Sequence, residues 1–96
     1  MVRHHTVPRA ILNSLPEEVA NNPLVRGTVG SKNIWQIPEG LHKWIHGGGG
    51  IGGGSYNQWW IDALTGLGGP ESATVADIVR LREAAADAFG LLPYKP

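Results

Sequence analysis

Two pairs of histidines make up the whole histidine content of the chain, and the second pair has the spacing of a helical metal site. His42 and His46 lie four residues apart in the segment LHKWIH. Residues at this spacing share one face of a helix, with about 5–6 Å between their Cβ atoms, so two imidazoles can bind one ion. A zinc protease with this motif needs a glutamate directly after the first histidine. Lys43 occupies that position, which excludes such a protease.

The first pair, His4 and His5, supplies what a catalytic site needs beyond two ligands. Neighbouring residues of a strand point to opposite faces, so one histidine can complete a set of three ligands while the other faces elsewhere. Three imidazoles with an open coordination position are typical of catalytic rather than structural sites. The spare imidazole is suited to accept a proton from water near neutral pH. The alternative is that these histidines are ordinary solvated or hydrogen-bonded side chains.

Short segments of different periodicity predict an α+β fold that positions these residues. In chain order, the predicted elements of the N-terminal half are strand RHHTVP, helices RAILNSL and PEEVANN, strand KNIWQIP and helix EGLHKWIH. The two strands are expected to pair as a short β-hairpin. In the last helix, Leu41, Trp44 and Ile45 are predicted to form the apolar side, and Gly47 to end it.

Two longer helices are predicted in the C-terminal half, each with a recognisable start. Ser55 is followed three residues later by Gln58, and Thr74 by Asp77, which is the capping-box pattern. Gly90 predicts the end of the second helix, because glycine readily adopts the conformation that terminates helices. The second helix, at positions 74–89, has the clearest signals of any element.

Composition limits the class of protein. The 96 residues are 42% hydrophobic, which supports one small domain over residues 1–96. The absence of cysteine excludes disulfides and thiolate metal sites. Neither a run of about 20 apolar residues nor a signal peptide is evident, so no membrane span is expected. The formal net charge is zero, with basic residues prevailing before Gly47 and acidic residues after it, which argues against binding nucleic acid by charge alone.

The order of these residues resembles a known family of nucleases. HHTVP, then Asn33, then the pair His42 and His46, lie on predicted strand, strand and helix, and a glycine-rich stretch leads to YN and a Trp-bearing helix. This order resembles the ββα-metal superfamily (HNH, endonuclease VII-like, His-Me finger), and most closely the AHH-type nuclease domains of bacterial polymorphic toxins. The resemblance covers roughly residues 3–57. It implies a small ββα-metal core, with a helical part at 58–96 added to it.

The resemblance also implies roles for individual residues. His4, His42 and His46 would bind one divalent ion, for which zinc, magnesium, manganese and nickel are candidates. His5 would be the general base, and Asn33 would brace the hairpin and orient His5. The candidates for phosphate contact are basic residues near the motif, each of which is equally an ordinary surface charge: Arg3, Arg9, Lys32 and Lys43.

The implied function is a metal-dependent endonuclease that hydrolyses phosphodiester bonds of nucleic acid, with DNA preferred and RNA possible. Such a domain belongs to a larger protein that a bacterial secretion system delivers into a target cell, and its partner would be a cognate immunity protein. The acidic helix at 74–89 is one candidate docking face for that partner. The alternatives are a non-catalytic zinc-stabilised binding module, an RNase of the same fold, and a hydrolase of a non-nucleic phosphodiester.

Two further features allow both a structural and a functional interpretation. The segment GGGGIGGG is not an NTPase phosphate loop, because no Gly-Lys-Ser/Thr follows it. It is either a flexible connector or backbone that approaches a nucleic-acid phosphate. The four tryptophans could stack on bases, but in so small a domain they are expected to form its core. Because Trp59 and Trp60 are adjacent, one of them is expected to be partly exposed.

Overall fold

The computed structural model describes residues 2–25, 34–45 and 55–95, and these residues form helices around one pair of strands. The elements are β1 (Val2–His5), α1 (Arg9–Leu12), α2 (Glu17–Ala20), β2 (Ile34–Ile37), α3 (Glu39–Lys43), α4 (Ser55–Gly66) and α5 (Val75–Ala88). Short 3-10 turns follow α4 and α5, at Pro70–Ser72 and Leu92–Tyr94. The predicted α+β class is confirmed. No helix among the described residues is long and apolar enough to cross a bilayer.

The two strands form an antiparallel pair in which Val2 lies opposite Ile37 and His5 opposite Ile34. The connection between them is long and contains α1 and α2, as the helical spacing of that segment predicted. Side chains alternate along β1, so His4 is buried while Arg3 and His5 are exposed. The strand pair therefore presents His4 to the interior and His5 to solvent.

Prolines begin the short helices. Pro8, Pro16 and Pro38 precede α1, α2 and α3, with φ between −52° and −58°. The pyrrolidine ring fixes φ near this value, and proline has no N–H group that the start of a helix would leave unpaired. Each helix therefore begins directly after its proline.

The core is built from apolar side chains of helices, strands and connections. Tyr56, Trp60 and Leu64 of α4 lie against the same core as Ile78 and Ala85 of α5, and α4 also contacts α1. The other buried apolar residues are Val7, Ile11, Leu12, Leu15, Val19, Ala20, Val25, Trp35, Ile37, Ile45, Ala73, Ala86 and Leu91. The turn at Leu92–Tyr94 contacts both β2 and α5, so the end of the chain covers the sheet.

The apolar side of α3 differs from the prediction at one position. After Lys43 the helix continues as a π-type turn through Trp44 and Ile45. Ile45 is buried and Leu41 is half-buried, but Trp44 is 40% exposed, so its predicted place on the apolar side is wrong. Neighbouring helical residues point about 100° apart. Ile45 takes the inward direction, which leaves Trp44 facing solvent.

The ends of α5 are set by the predicted signals. The Thr74 hydroxyl accepts a hydrogen bond from the backbone N–H of Asp77, whose carboxylate accepts one from the Thr74 N–H, both at 3.1 Å. Hydrogen bonding with the backbone and side chain of Thr74, and to a smaller extent Arg80, holds the pKa of Asp77 below its usual range. The stability that the ionised Asp77 carboxylate contributes to the cap is therefore fully present above the ordinary pKa of aspartate. It is lost as pH falls through the lowered pKa. At the other end, Gly90 has φ +69° and the Leu91 N–H donates to the Ala86 carbonyl, which completes a Schellman motif.

Replacing Thr74 with alanine is expected to lower the free energy of unfolding by about 1 kcal/mol, because the first turn of α5 loses its side-chain acceptor. In a domain of this size, that is a fall in Tm of about 4–8 °C. Thr65→Ala is the matched control, since the Thr65 hydroxyl bonds only to the carbonyl of Ile61 in its own helix. A melting curve for each variant checks the prediction. Equal Tm values for the two would show that the cap contributes nothing.

Candidate functional site

His4 is the buried histidine of the strand pair, with none of its surface exposed. It lies on β1 opposite Trp35 of β2. Among the described residues, its ring lies edge to face with the His42 ring, with 5.5 Å between centroids, and with the Tyr56 ring, with 4.8 Å. A residue of β1 thus meets side chains from α3 and α4.

His42 reaches His4 because α3 follows β2 immediately and packs on β1. Its backbone N–H donates to the carbonyl of Pro38 at 3.0 Å, in the first turn of the helix. The side chain is half-buried, in contrast to the exposed neighbour Lys43. The structure therefore brings together two of the three predicted metal ligands, from a strand and from the helix after the second strand.

The separation of the two rings fits a shared metal ion. Imidazole nitrogens lie about 2.0–2.1 Å from zinc, so two rings on one tetrahedral ion have centroids roughly 5 Å apart. The observed 5.5 Å between His4 and His42 is close to that value, and the 74° angle between the rings keeps them from stacking face to face. His46, the third predicted ligand, lies outside the described residues. Within the described parts of the chain, no group of three or more potential ligands occurs.

The predicted general base, His5, occupies the other face of β1. Its side chain is exposed, and so is that of Arg3, two residues earlier on the same face. Gln36, opposite Arg3 on β2, is also exposed. The solvent face of the strand pair therefore carries an imidazole and a guanidinium next to the buried His4. Adjacent Cα atoms are about 3.8 Å apart, so the backbone of His5 lies beside that of the first ligand.

The remaining predicted site residues are less informative. Asn33 and Lys32 lie outside the described residues, as does the glycine-rich stretch. Arg9 is exposed at the start of α1. Lys43 forms a 3.1 Å salt bridge with Glu39 one turn earlier, and both side chains are about two-thirds exposed. An exposed pair of this kind is worth at most about 0.5 kcal/mol, so Lys43 remains available to other anions.

Tyr56 belongs to this site, although the sequence includes it only in the YN pair of the family pattern and gives it no role. It is fully buried at the start of α4, and its hydroxyl donates to the carbonyl of Thr6, the residue after His5. Its ring contacts His4 on one side and Phe89 on another, with 5.0 Å between the centroids of Tyr56 and Phe89. Burial raises the pKa of Tyr56 to about 12, so the hydroxyl keeps its proton near neutral pH.

The tryptophans mostly pack, as expected. Trp35 and Trp60 are buried, and Trp59 is partly buried against Trp60 with 5.7 Å between centroids. The predicted difference between Trp59 and Trp60 is thus confirmed. Trp44 is the exposed exception.

The surface of α5 is mixed rather than acidic. Asp77 pairs with Arg80 at 3.0 Å, and Glu83 pairs with Lys95 beyond the helix. Arg82 is 4% exposed and donates to the carbonyl of Leu24 at 2.8 Å. Burial lowers the pKa of Arg82. Arg82 therefore ties α5 to the segment after α2, and the carboxylates of the helix offer less free negative charge than the sequence suggests.

Comparison of the chain with protein-family models, with curated proteins and with solved structures gives no match.

Proposed function

We propose that this chain is a metal-dependent endonuclease with a ββα-metal core, acting on nucleic acid. The contact between the His4 and His42 rings carries the proposal, because it brings residues 38 positions apart to a centroid separation that two ligands of one ion would have. The order strand, strand, helix of β1, β2 and α3 supports the same core. The resemblance of the histidine and asparagine pattern to AHH-type nuclease domains supports the reaction class.

His4, His42 and His46 would hold one divalent ion, with the identity among zinc, magnesium, manganese and nickel left to experiment. When bound, such an ion stabilises negative charge on a phosphate oxygen and on the leaving oxygen. The chain's contribution is to fix two imidazoles at 5.5 Å between centroids, one of them fully buried. Because His4 is buried, its ring is shielded from water, and the packing around the ring holds its orientation.

His5 would take a proton from the attacking water. As that oxygen bonds to phosphorus, the bond from phosphorus to the leaving oxygen breaks, and the leaving oxygen receives a proton from solvent. Arg3 shares the exposed face of β1 with His5 and would contact the phosphate. Asn33 would orient His5, and Arg9, Lys32 and Lys43 would add contacts to neighbouring phosphates. A positive ion at the site offsets substrate charge, so the zero net charge of the chain is compatible with a polyanionic substrate.

DNA is the preferred substrate and RNA the second, following the resemblance. The same resemblance suggests that the domain is the toxin part of a larger bacterial protein, delivered into a target cell and neutralised in the producing cell by an immunity protein. The mixed surface of α5 is one candidate face for that partner.

The purified protein is expected to cut plasmid DNA in the presence of a divalent metal and to stop when EDTA is added. The assay follows conversion of supercoiled plasmid to nicked and linear forms with magnesium, manganese, zinc or nickel, and runs total RNA in parallel. Cleavage of RNA alone would move the protein to an RNase of the same fold. If both substrates stay intact with every metal, the proposed function is wrong and the histidines serve structure or binding.

A further inference from the structure

Tyr56 connects three parts of the fold at the histidine site. Its ring makes edge-to-face contacts with His4 and with Phe89 beyond α5, and its hydroxyl donates to the Thr6 carbonyl. None of the Tyr56 surface is exposed. A side chain with this burial and these contacts cannot move without moving its neighbours, because protein interiors are close-packed.

The contact with His4 of β1 and the contact with Thr6, directly after β1, act on different histidines. The ring of Tyr56 borders the His4 imidazole at 4.8 Å between centroids and limits its rotation about the bond to Cβ. The hydroxyl holds the peptide group that follows Thr6, and that residue is adjacent to His5 in the chain. Because a peptide group is planar, a fixed Thr6 carbonyl also fixes the orientation of the Thr6–Val7 peptide, whose first Cα atom belongs to the residue directly after His5. The hydroxyl thus restrains the end of the strand from which the exposed His5 projects.

We propose that Tyr56 is the positioning residue of the histidine site: its ring orients His4 for the metal ion, and its hydroxyl fixes the strand end that carries His5. This inference rests on the proposed nuclease function for its effect on cleavage. Its effect on the two imidazoles is independent of any activity. Since hydroxyl and ring have separate targets, their removal has separable consequences.

Two substitutions separate the contacts. Tyr56→Phe keeps the ring and removes the hydroxyl, whereas Tyr56→Leu removes both and retains an apolar side chain. For Tyr56→Phe we expect the zinc Kd to stay within about twofold of wild type, while kcat for cleavage falls roughly 10- to 100-fold, because small misplacement of a reacting group costs this much. For Tyr56→Leu we expect the zinc Kd also to rise by about 10-fold or more, the usual cost of losing a group that orients a ligand.

The measurements are a zinc titration by calorimetry, NMR signals of the imidazole nitrogens in the metal-free protein, and cleavage rates. Thr74→Ala is the control, because it weakens the fold at the distant start of α5 without touching the histidines. In Tyr56→Phe the His5 signals are expected to shift while those of His4 change little; in Thr74→Ala neither should shift. A Tyr56→Phe protein with wild-type imidazole signals and wild-type kcat overturns the role of the hydroxyl, and a Tyr56→Leu protein with unchanged zinc Kd overturns that of the ring.

Failure of the proposed function is distinguishable from failure of this inference. If wild type cuts no nucleic acid, the nuclease proposal is overturned, and the titration and the NMR signals alone decide the positioning role. Tyr56→Phe retains the packing against His4 and Phe89, so it gives a folded protein for both measurements even if Tyr56→Leu does not fold.

Discussion

Replacing His5 with alanine is expected to lower the rate of phosphodiester cleavage by about 10²- to 10⁴-fold, the usual contribution of a positioned general base. The fold and the zinc affinity should both survive. The His5 side chain is exposed on β1, so its removal creates no cavity, and it lies on the face opposite the buried His4. The substitution should therefore slow proton transfer without weakening metal binding.

The measurement is the single-turnover cleavage rate of plasmid DNA, with Tm and zinc Kd determined on the same preparations. Gln36→Ala is the matched control, because Gln36 is an exposed residue of the same strand pair, opposite Arg3. That variant should cut at close to the wild-type rate. A folded, zinc-binding His5→Ala protein that cuts as fast as the control would remove His5 from the mechanism and leave the reaction without an assigned base.

Arg3 provides an internal comparison for the same face. It shares the exposed side of β1 with His5 and has no ion-pair partner among the described residues, unlike Lys43, which pairs with Glu39. A phosphate bound at His5 would therefore meet a guanidinium free to form two hydrogen bonds to it. If the chain acts on nucleic acid as proposed, this arrangement would let it bind without a broad basic surface, in keeping with its zero net charge.

The elements with local signals were predictable from the sequence. The start of α5 depends on Thr74 and Asp77, three residues apart, and its end on Gly90, so all of the required information lies within one segment. The opposite directions of His4 and His5 follow in the same way from the alternation of side chains along a strand. Such features require no knowledge of what the chain packs against.

The features that depend on distant contacts were not predictable. Trp44 has the spacing of a core residue. In the turn that contains Trp44 and Ile45, however, only Ile45 is directed inward. Tyr56 lies in the YN pair of the family pattern, but its contacts carry no local signal, because its hydrogen-bond partner lies 50 residues away and its ring neighbours come from β1 and from beyond α5. The sequence predicts that His4 and His42 share a site, whereas the group that holds His4 in place is visible only in the folded chain.

Replacing His42 with alanine is expected to raise the zinc Kd by about 100-fold or more. Loss of a group that only orients a ligand raises a metal Kd by up to about 100-fold, and here a ligand itself is lost. The variant should remain folded. His42 is only half-buried, alanine is the better helix former, and this helical segment is held to the core by its neighbours Leu41 and Ile45. The consequence is confined to the ion and to the reaction that needs it.

Thermal melting with and without zinc measures this effect independently of cleavage. Zinc at about 100 times its Kd stabilises a folded protein that binds it by about 2.7 kcal/mol, so wild type should show a saturable rise in Tm that EDTA reverses. His42→Ala should lose that rise at the same zinc concentration, whereas Lys43→Ala, which breaks only an exposed pair on the same helix, should keep it. A zinc-independent Tm in wild type would mean that His4 and His42 meet as packing neighbours without a shared ion.

The melting curve in EDTA also separates catalysis from a purely structural role. A module that zinc staples together should unfold when the metal is removed, because the stability of such a small domain comes in large part from the staple. The nuclease interpretation expects the metal-free protein to stay folded. The buried side chains of α1, α2, α4 and α5 form a continuous core, and the ring of Tyr56 packs beside His4. A cooperative transition in EDTA above room temperature, together with loss of cleavage, would therefore assign the ion to chemistry.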